Sequence, residues 1–253
     1  MKNIFIKSAA FLASALVLAN GALALSTYGW YCIRKKDHER PVCEPNMAFI
    51  SEYNAYFMGK DPDEKVIYLT FDAGYENGNV EKILDALKAH GAHGAFFVLK
   101  NLIEKNTDLV RRMQDEGHLV CNHTCRHRDM SAFSDADFEA ELLALEKTAE
   151  DHGITLAPFY RPPEGRFSER NLSCAEKMGY ATVFWSFAYA DWDNERQQNP
   201  ERATKLIIEN THNGEIALLH PTSATNAAIL DELLTKWEEM GYRFGSLTEL
   251  TAK

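Results

Sequence analysis

The most distinctive chemical pattern in this chain is a pair of histidines, His123 and His127, four residues apart. If that segment forms a helical turn, both imidazoles lie on one side of it, where they can bind one divalent metal ion. The chain has 9 histidines, so such a pair can also arise by chance. The pair therefore predicts a metal site only if other residues that use the ion lie beside it.

Four further residues have the side chains that hydrolysis needs. Asp72 and His220 are of the types that accept and donate protons, and Arg161 and Asp191 are charged groups that can orient them. Each has a simpler interpretation when taken alone. Asp72 can cap a loop, Arg161 and Asp191 can form a structural ion pair, and His220 can be an ordinary core histidine.

The segments that carry these residues alternate short β-branched or aromatic runs with stretches of helical periodicity. This pattern predicts seven strands, at residues 66–71, 95–99, 119–122, 159–161, 182–186, 216–220 and 242–244. Helices are predicted between them, near residues 80–87, 109–113, 135–152, 169–179, 203–210 and 227–240. Repeated βα units predict an α/β fold with a parallel sheet and helices outside it.

A distorted (β/α) barrel is favoured over an open sheet by the positions of the polar residues. Asp72, His123, Arg161, Asp191 and His220 each lie at or just after the C-terminal end of a predicted strand. Parallel barrels gather their catalytic side chains at that edge. A dinucleotide-binding fold is excluded because no Gly-x-Gly-x-x-Gly turn follows the first strand.

The first 24 residues have the pattern of a signal peptide. Lys2 and Lys7 precede an apolar run, and Ala22-Leu23-Ala24 provides small residues for cleavage. We therefore expect an exported protein that acts in the cell envelope or is secreted. The alternative is an uncleaved membrane anchor, because the apolar stretch is nearly long enough to span a bilayer. Residues 25–62 are interpreted as an N-terminal leader and residues 63–253 as one catalytic domain.

Charge and cysteine content restrict the partners and the fold further. A formal net charge of −10 argues against nucleic acid as a partner. Cys32 and Cys43 flank a short loop and could form a disulfide in an exported protein. Cys121, Cys125 and Cys174 lie within the domain and are interpreted as small buried apolar residues.

Five segments, in this order, resemble the motifs of the NodB-type polysaccharide deacetylases of carbohydrate esterase family four. They are Thr70-Phe71-Asp72-Ala73-Gly74, His123-Thr124-Cys125-Arg126-His127, Arg161-Pro162-Pro163-Glu164-Gly165, Asp191-Trp192 and Leu218-Leu219-His220. The resemblance covers residues 66–250 and implies a distorted barrel of about seven parallel strands. The longer string Thr70 to Asn77, with Trp185-Ser186, is similar to the branch of peptidoglycan N-acetylmuramic acid deacetylases that act in muramic δ-lactam formation in the spore cortex.

The resemblance implies roles for the catalytic residues. Asp72 would be the base that takes a proton from the attacking water, and His220 would be the acid that protonates the departing amine. Arg161 would orient Asp72, and Asp191 would orient His220 and raise its pKa. The implied substrate partner is a peptidoglycan glycan strand.

The resemblance also implies a metal site and a substrate pocket. A divalent ion, expected to be zinc, would be bound by His123 and His127. A backbone N–H near Pro163-Glu164 would stabilise the oxyanion, and Trp192 and Leu218 would line the pocket for the acetyl methyl group.

Two positions differ from the family pattern. Ala73 stands where the family usually has an aspartate that binds the metal, and Asn77 is our candidate for the replacement ligand. Glu164 stands where the family more often has an aromatic residue, which would change either the rim that faces the substrate or the oxyanion contact.

Three alternatives stay open at this point. The substrate could instead be chitin, xylan or a polymer of N-acetylglucosamine. Loss of the aspartate at position 73 could have left a catalytically silent glycan-binding module, although such a module has no use for a base and an acid. A structural zinc site formed by Cys121, Cys125 and the two histidines is disfavoured, because structural zinc usually uses well-separated pairs of ligands.

Overall fold

The computed structural model describes residues 26–35 and 37–252. The predicted signal peptide, residues 1–24, lies outside the described residues, and so does the membrane anchor proposed as its alternative. In the part of the chain that the structure describes, no helix is both long enough and apolar enough to cross a membrane.

The described residues form short strands and amphipathic helices. The strands are β1 Tyr28–Gly29, β2 Cys32–Ile33, β3 Val42–Cys43, β4 Ala55–Tyr56, β5 Val66–Ala73, β6 Gly94–Val98, β7 Leu119–Asn122, β8 Ala157–Tyr160, β9 Arg166–Phe167, β10 Ala181–Val183, β11 Phe187–Ala188, β12 Glu215–Leu219 and β13 Arg243–Phe244. The helices are α1 Val80–Ala89, α2 Lys100–Lys105, α3 Thr107–Asp115, α4 Asp135–Asp151, α5 Glu169–Lys177, α6 Pro200–Asn210, α7 Ala224–Glu239 and α8 Leu247–Thr251. Two 3₁₀ helices, Pro45–Glu52 and Pro163–Gly165, complete the list.

Nine of the strands form one parallel sheet in the order β11-β12-β5-β6-β7-β8-β10-β4, with β13 paired to β5. The sheet curls into an incompletely closed barrel with helices outside it, which confirms the predicted distorted (β/α) barrel. All seven predicted strands are present. Within this sheet, β4 and β11 were not predicted from the sequence.

Alternation along the strands separates two parts of the core. On β5, Val66 and Tyr68 pack inside the barrel, whereas Ile67, Leu69 and Phe71 pack against the outer helices. Successive side chains on a strand point to opposite faces. Asp72 is an even number of residues away from Val66 and Tyr68 and so lies on the same face of β5. This alternation directs its carboxylate into the mouth of the barrel.

The segment interpreted as a leader packs on the edge of the sheet. β4 pairs with β10, and Trp30, Met47 and Ile50 share a buried apolar cluster with Phe167 and Phe184. Stacking of Trp30 on Phe184, with 4.6 Å between ring centroids, adds to the burial. This segment therefore contributes to a buried apolar cluster at the edge of the sheet.

Cys32 and Cys43 lie directly opposite each other in the antiparallel pair of β2 and β3. Both are free thiols in the structure. The Cys32 thiol donates to the Trp185 carbonyl at 3.2 Å, and the Cys43 thiol donates to the carbonyl of Glu44.

A buried carboxyl group lies at the N-terminal end of the barrel, opposite the predicted active site. Glu215, the first residue of β12, is fully buried, and its Oε2 accepts a hydrogen bond from the His212 backbone N–H at 3.1 Å. Burial raises the pKa of Glu215 to about 8. Burial also lowers the pKa of His212 to about 4, so both side chains are neutral in the folded protein at pH 7.

We predict that these shifts make the stability of the fold fall between pH 6.5 and 8. Glu215 binds its proton more tightly when folded than when unfolded, where its pKa is 4.5, so raising the pH towards about 8 removes stability. Below pH 6.5 the lowered pKa of His212 acts in the opposite direction, because stability then rises with pH. Above pH 6.5 the effect of His212 fades as the unfolded imidazole loses its remaining protons, and the Glu215 carboxyl increasingly dominates within this pair, with a slope of up to about 1.4 kcal/mol per pH unit.

Urea unfolding at pH 6.5 and 8 tests this prediction on the wild type and on Glu215→Gln, which cannot ionise. The variant should lose much less stability across this range. Glu81→Gln, at an exposed position of α1, is the control and should behave like the wild type. Equal pH dependence in all three proteins would contradict the raised pKa of Glu215.

Candidate active site

Arg161 is a fully buried arginine directly after β8, and its side chain is held by four hydrogen bonds and by contacts with aromatic rings. Nη1 donates to Oδ1 of Asp72 at 2.9 Å, and Nη2 donates to the hydroxyl of Thr70 at 2.9 Å and to the carbonyl of Phe184 at 3.1 Å. Nε donates to the Val183 carbonyl at 2.9 Å. The guanidinium also lies 4.2 Å from the ring centroid of Phe97, a cation–π contact. This arginine is rigid, and Asp72 is the carboxylate that balances its charge.

Asp72 is held as a carboxylate at the end of β5. Burial by itself would raise the pKa of its carboxyl, but the neighbouring His123 and Arg161 together lower it below its ordinary value. Oδ2, the oxygen that does not bind Arg161, lies 3.4 Å from Nε2 of His123. A carboxylate with one oxygen fixed and the other beside the cavity is suited to accept a proton.

His123 is buried, and its tautomer follows from one hydrogen bond. Its Nδ1 lies 2.9 Å from the carbonyl oxygen of Arg161, which can only accept, so Nδ1 carries the proton. Nε2 therefore has a free lone pair on the side of Asp72. Burial lowers the pKa of His123 to about 4, which favours the neutral ring that metal ligands need.

The spacing of four residues suggested a helical turn, but a loop brings His127 next to His123. Thr124 and His127 both have left-handed backbone conformations, with φ of 73° and 53°. The Asn122 side chain accepts from the backbone N–H of Thr124, and the Thr124 hydroxyl accepts from that of His127 at 3.0 Å. These bonds hold the two imidazole rings with 5.0 Å between their centroids.

His220 follows β12 and forms a tight pair with Asp191. Its Nδ1 lies 2.7 Å from Oδ1 of Asp191, and its backbone N–H donates to Oδ2 of Asp191 at 2.8 Å. Burial alone would lower the pKa of His220. The hydrogen bond and charge of Asp191, helped by the charge of Asp72 and opposed by Arg161, instead raise it above its ordinary value. The pair thus favours a protonated imidazole that can act as an acid.

One cavity of about 770 Å³ joins these groups at the C-terminal edge of the sheet. Most of the predicted site residues line it, namely Asp72, His123, His127, Glu164, Trp192, Leu218 and His220. Arg161 and Asp191 contact the lining residues from behind. Pro163 is buried, and neither Pro163 nor Asn77 belongs to the lining.

Glu164 lies at the rim of the cavity with a left-handed backbone, at φ 54°. Its exposed carboxylate accepts a hydrogen bond from Nε of Arg166 at 3.2 Å. Non-glycine residues adopt this conformation rarely, and such strained residues concentrate at functional sites. Glu164 stands where the family more often has an aromatic residue. Its charged side chain lies on the rim and not in the catalytic centre.

The donor atoms present fit a divalent ion in part. Nε2 of His123 has its lone pair free, His127 lies next to it, and the Asp72 carboxylate is within reach. Within residues 26–35 and 37–252, no group of three or more His, Cys, Asp or Glu side chains is arranged as a ready metal site, including the four residues of the structural zinc alternative. Ala73 is fully buried in the outer apolar core.

Asn77 lies on the loop that follows β5, near the start of α7. Its Nδ2 donates to the carbonyl of Thr222 at 2.8 Å, and Nδ2 of Asn79 donates to the same carbonyl at 3.0 Å. The amide oxygen is the atom that a metal would use, and it is not engaged in that bond. Ligation by Asn77 stays a prediction.

Several residues that line the cavity were not predicted from the sequence. The cavity is also lined by Gly74, Tyr75, Leu99, Asn101, Trp185, Ala188, Tyr189 and Thr222. The alternation of side chains along β5 could have identified Thr70, two residues before Asp72, as its neighbour on the inner face. Tyr75 lies on a loop, where no periodicity indicates the direction of a side chain, and Asn101 lies in the first turn of α2, a helix that was not predicted from the sequence.

Comparison with known proteins identifies the family. The sequence profile of the polysaccharide deacetylases matches residues 59–183. The chain is 42% identical to an uncharacterized 30.6 kDa protein of Geobacillus stearothermophilus, over 87% of this chain and 84% of that protein. It is 36% identical to the peptidoglycan-N-acetylmuramic acid deacetylase PdaA of Bacillus subtilis, over 94% of this chain and 92% of that protein.

The fold is also similar to a solved structure. The structure of Bacillus subtilis PdaA, a family 4 carbohydrate esterase, superposes with a TM-score of 0.84 at 37% identity, over 88% of this chain and 96% of that one. The match covers the curled parallel sheet and the helices that surround it. On these grounds the chain belongs to the polysaccharide deacetylase family.

Proposed function

We propose that this deacetylase removes the N-acetyl group from N-acetylmuramic acid residues of peptidoglycan glycan strands. One observation supports the reaction above all others: a carboxylate with a lowered pKa, Asp72, and an imidazole with a raised pKa, His220, line the same cavity. A base and an acid kept in opposite protonation states at one pH are what amide hydrolysis requires. The similarity to PdaA, whose name specifies N-acetylmuramic acid, supports the substrate.

The reaction follows from these two groups. Asp72 accepts a proton from water as the water oxygen attacks the acetyl carbonyl carbon. When the tetrahedral intermediate breaks down, the C–N bond is cleaved and His220 gives its proton to the departing amine. The products are acetate and a sugar with a free amine. A backbone N–H near Pro163-Glu164 is the proposed donor to the oxyanion.

The proposed metal ligands are His123 and His127, with Asn77 as the third. A divalent ion at this position, proposed to be zinc, would polarise the acetyl carbonyl and lower the pKa of water. The chain itself fixes the orientation of the His123 ring, because the Arg161 carbonyl accepts a hydrogen bond from its Nδ1 proton. The same arginine thus orients both the base and a proposed ligand.

Trp192 and Leu218 are the proposed contacts for the sugar. Trp192 is 61% exposed, and its ring centroid lies 6.2 Å from that of His220, so a sugar ring that packs on it would lie beside the acid. Leu218 is a buried part of the cavity wall and provides an apolar contact for the acetyl methyl group.

Peptidoglycan lies outside the cytoplasmic membrane, which agrees with the signal peptide predicted at residues 1–24. Removing the stem peptide from muramic acid frees a lactyl carboxyl, and deacetylation frees the amine next to it. These are the two groups that a muramic δ-lactam joins. We therefore propose a role in cortex modification during sporulation.

The first prediction concerns the base and the acid. Asp72→Asn and His220→Ala should each lower kcat by about 10²–10⁴-fold, because each removes one proton transfer. Release of acetate from peptidoglycan measures this, and near-UV circular dichroism shows whether each variant is folded. Asp193→Asn, in the loop beside Trp192, is the control and should retain activity. A folded variant of either residue with wild-type turnover would remove that residue from the mechanism.

The second prediction concerns the substrate. Peptidoglycan strands without stem peptides should lose acetyl groups from muramic acid, and chitin oligomers should react far more slowly. Mass spectrometry of the digested glycan assigns each lost acetyl to one of the two amino sugars. Loss confined to N-acetylglucosamine, or efficient turnover of chitin alone, would contradict the proposed substrate and leave the type of reaction intact.

The third prediction concerns the ligand that replaces the missing aspartate. Two neutral imidazoles and an amide leave the charge of zinc poorly balanced, so binding should be weak enough for chelators to reverse. Calorimetric titration with zinc should give lower affinity for Asn77→Ala than for the wild type. Asn79→Ala removes a hydrogen bond to the same Thr222 carbonyl and should bind zinc like the wild type. Equal affinities in all three proteins would exclude Asn77 as a ligand.

A further inference from the structure

Asn226, in the first turn of α7, contacts both members of the acid pair. It is 1% exposed, and its Nδ2 donates to Oδ2 of Asp191 at 2.6 Å and to the backbone carbonyl of His220 at 3.1 Å. Its Oδ1 accepts a hydrogen bond from the hydroxyl of Tyr189. All the polar atoms of this side chain are therefore engaged around the acid.

The orientation of the Asn226 amide is fixed by its partners. A carboxylate and a backbone carbonyl can only accept, so both must face the NH₂ group. The amide oxygen is then left for Tyr189, whose hydroxyl has its pKa raised by burial and by the charge of Asp191, so that it remains a donor. Tyr189 lines the cavity, so the network extends from the cavity wall to the acid pair.

Asn226 also restricts the Asp191 carboxylate. Oδ1 of Asp191 faces Nδ1 of His220, and Oδ2 accepts from both the His220 backbone N–H and Asn226. With donors on both oxygens, the carboxylate cannot rotate without breaking a bond. Asp191 is 2% exposed, so water cannot easily replace a lost donor.

The start of α7 holds Asn226 itself in place. Ser223 is the N-cap residue, and its hydroxyl accepts from the Asn226 backbone N–H at 3.1 Å and donates to Oε1 of Gln197 at 2.5 Å. Nε2 of Gln197 in turn donates to the Asp191 backbone carbonyl at 3.1 Å. The helix start and the loop that carries Asp191 are thereby joined into one unit.

We propose that Asn226 is a positioning residue for catalysis, which keeps the Asp191 carboxylate in the orientation that holds His220 as the acid. The inference rests on the proposed function for its consequence in catalysis. Besides Asp191, the charged groups near His220 are Asp72 on β5 and Arg161 after β8, and neither contacts Asn226. A change caused by Asn226 therefore acts through Asp191.

The test compares Asn226→Ala and Asn226→Asp with the matched control Asn171→Ala. Asn171 is also a buried asparagine three residues after a serine N-cap, in α5, and it lies outside the active-site cavity. Both Asn226 variants should lower kcat by about 10- to 100-fold with little change in KM, because a misplaced acid fails in the transition state. Asn226→Asp keeps the size but replaces the donor by an oxygen that repels Asp191, whereas Asn226→Ala removes the donor without adding a charge, so a loss in both variants would identify the missing N–H groups as the cause.

The decisive measurement is the pKa of His220, which an NMR titration of the imidazole gives for each protein. In Asn226→Ala, Asp191 should turn away and the pKa of His220 should fall, which moves the falling limb of the pH–kcat profile to lower pH. Asn171→Ala should leave both unchanged, even if it lowers Tm. An unchanged His220 pKa and kcat in folded Asn226→Ala would overturn the proposal. Because the NMR titration needs no substrate, it tests the positioning role even if the wild type fails to deacetylate peptidoglycan.

Discussion

The buried ion pair between Arg161 and Asp72 is the interaction on which the rest of the active site depends. A guanidinium without contact with water is costly unless most of its N–H groups are paired and a counter-charge is present. Here Asp72 provides the charge, and Asp72, Thr70, Val183 and Phe184 accept hydrogen bonds from four of the five N–H groups. The inner faces of three strands are therefore joined at one residue, and the base cannot move independently of the barrel.

The site has a second half, built differently. The base and the proposed metal ligand His123 belong to the region where β5, β7 and β8 end. Backbone pairing through β6 joins β5 to β7, and β7 pairs with β8 with a register shift between Cys121 and Asn122. The acid depends on a loop, which carries Asp191, and on the start of α7. A loop has no register of its own, so side-chain hydrogen bonds have to hold it. Gln197 and Asn226 provide such bonds between the loop and α7.

The sequence predicted the site as far as strand patterns reach. Asp72, Arg161 and His220 lie at or just after the ends of short apolar runs that predict strands, and parallel strands bring their ends to one edge. The two-residue strands β4 and β11 gave no such pattern, because their pairing is decided by neighbours far away along the chain. The same limit applies to Asn226, since nothing in the local pattern of α7 indicates a carboxylate that lies 35 residues earlier.

The histidine pair lies together in the structure for a different reason from the one that its spacing suggested. A spacing of four suits a helix, yet His123 and His127 lie in a loop with two left-handed residues. The carbonyl of Arg161, the residue directly after the adjacent strand β8, fixes the ring of His123. Backbone strain at Thr124 and His127 is then tolerated because hydrogen bonds from Asn122 and Thr124 hold the turn. Tertiary contacts, and not helical periodicity, set the geometry that a metal ion would meet.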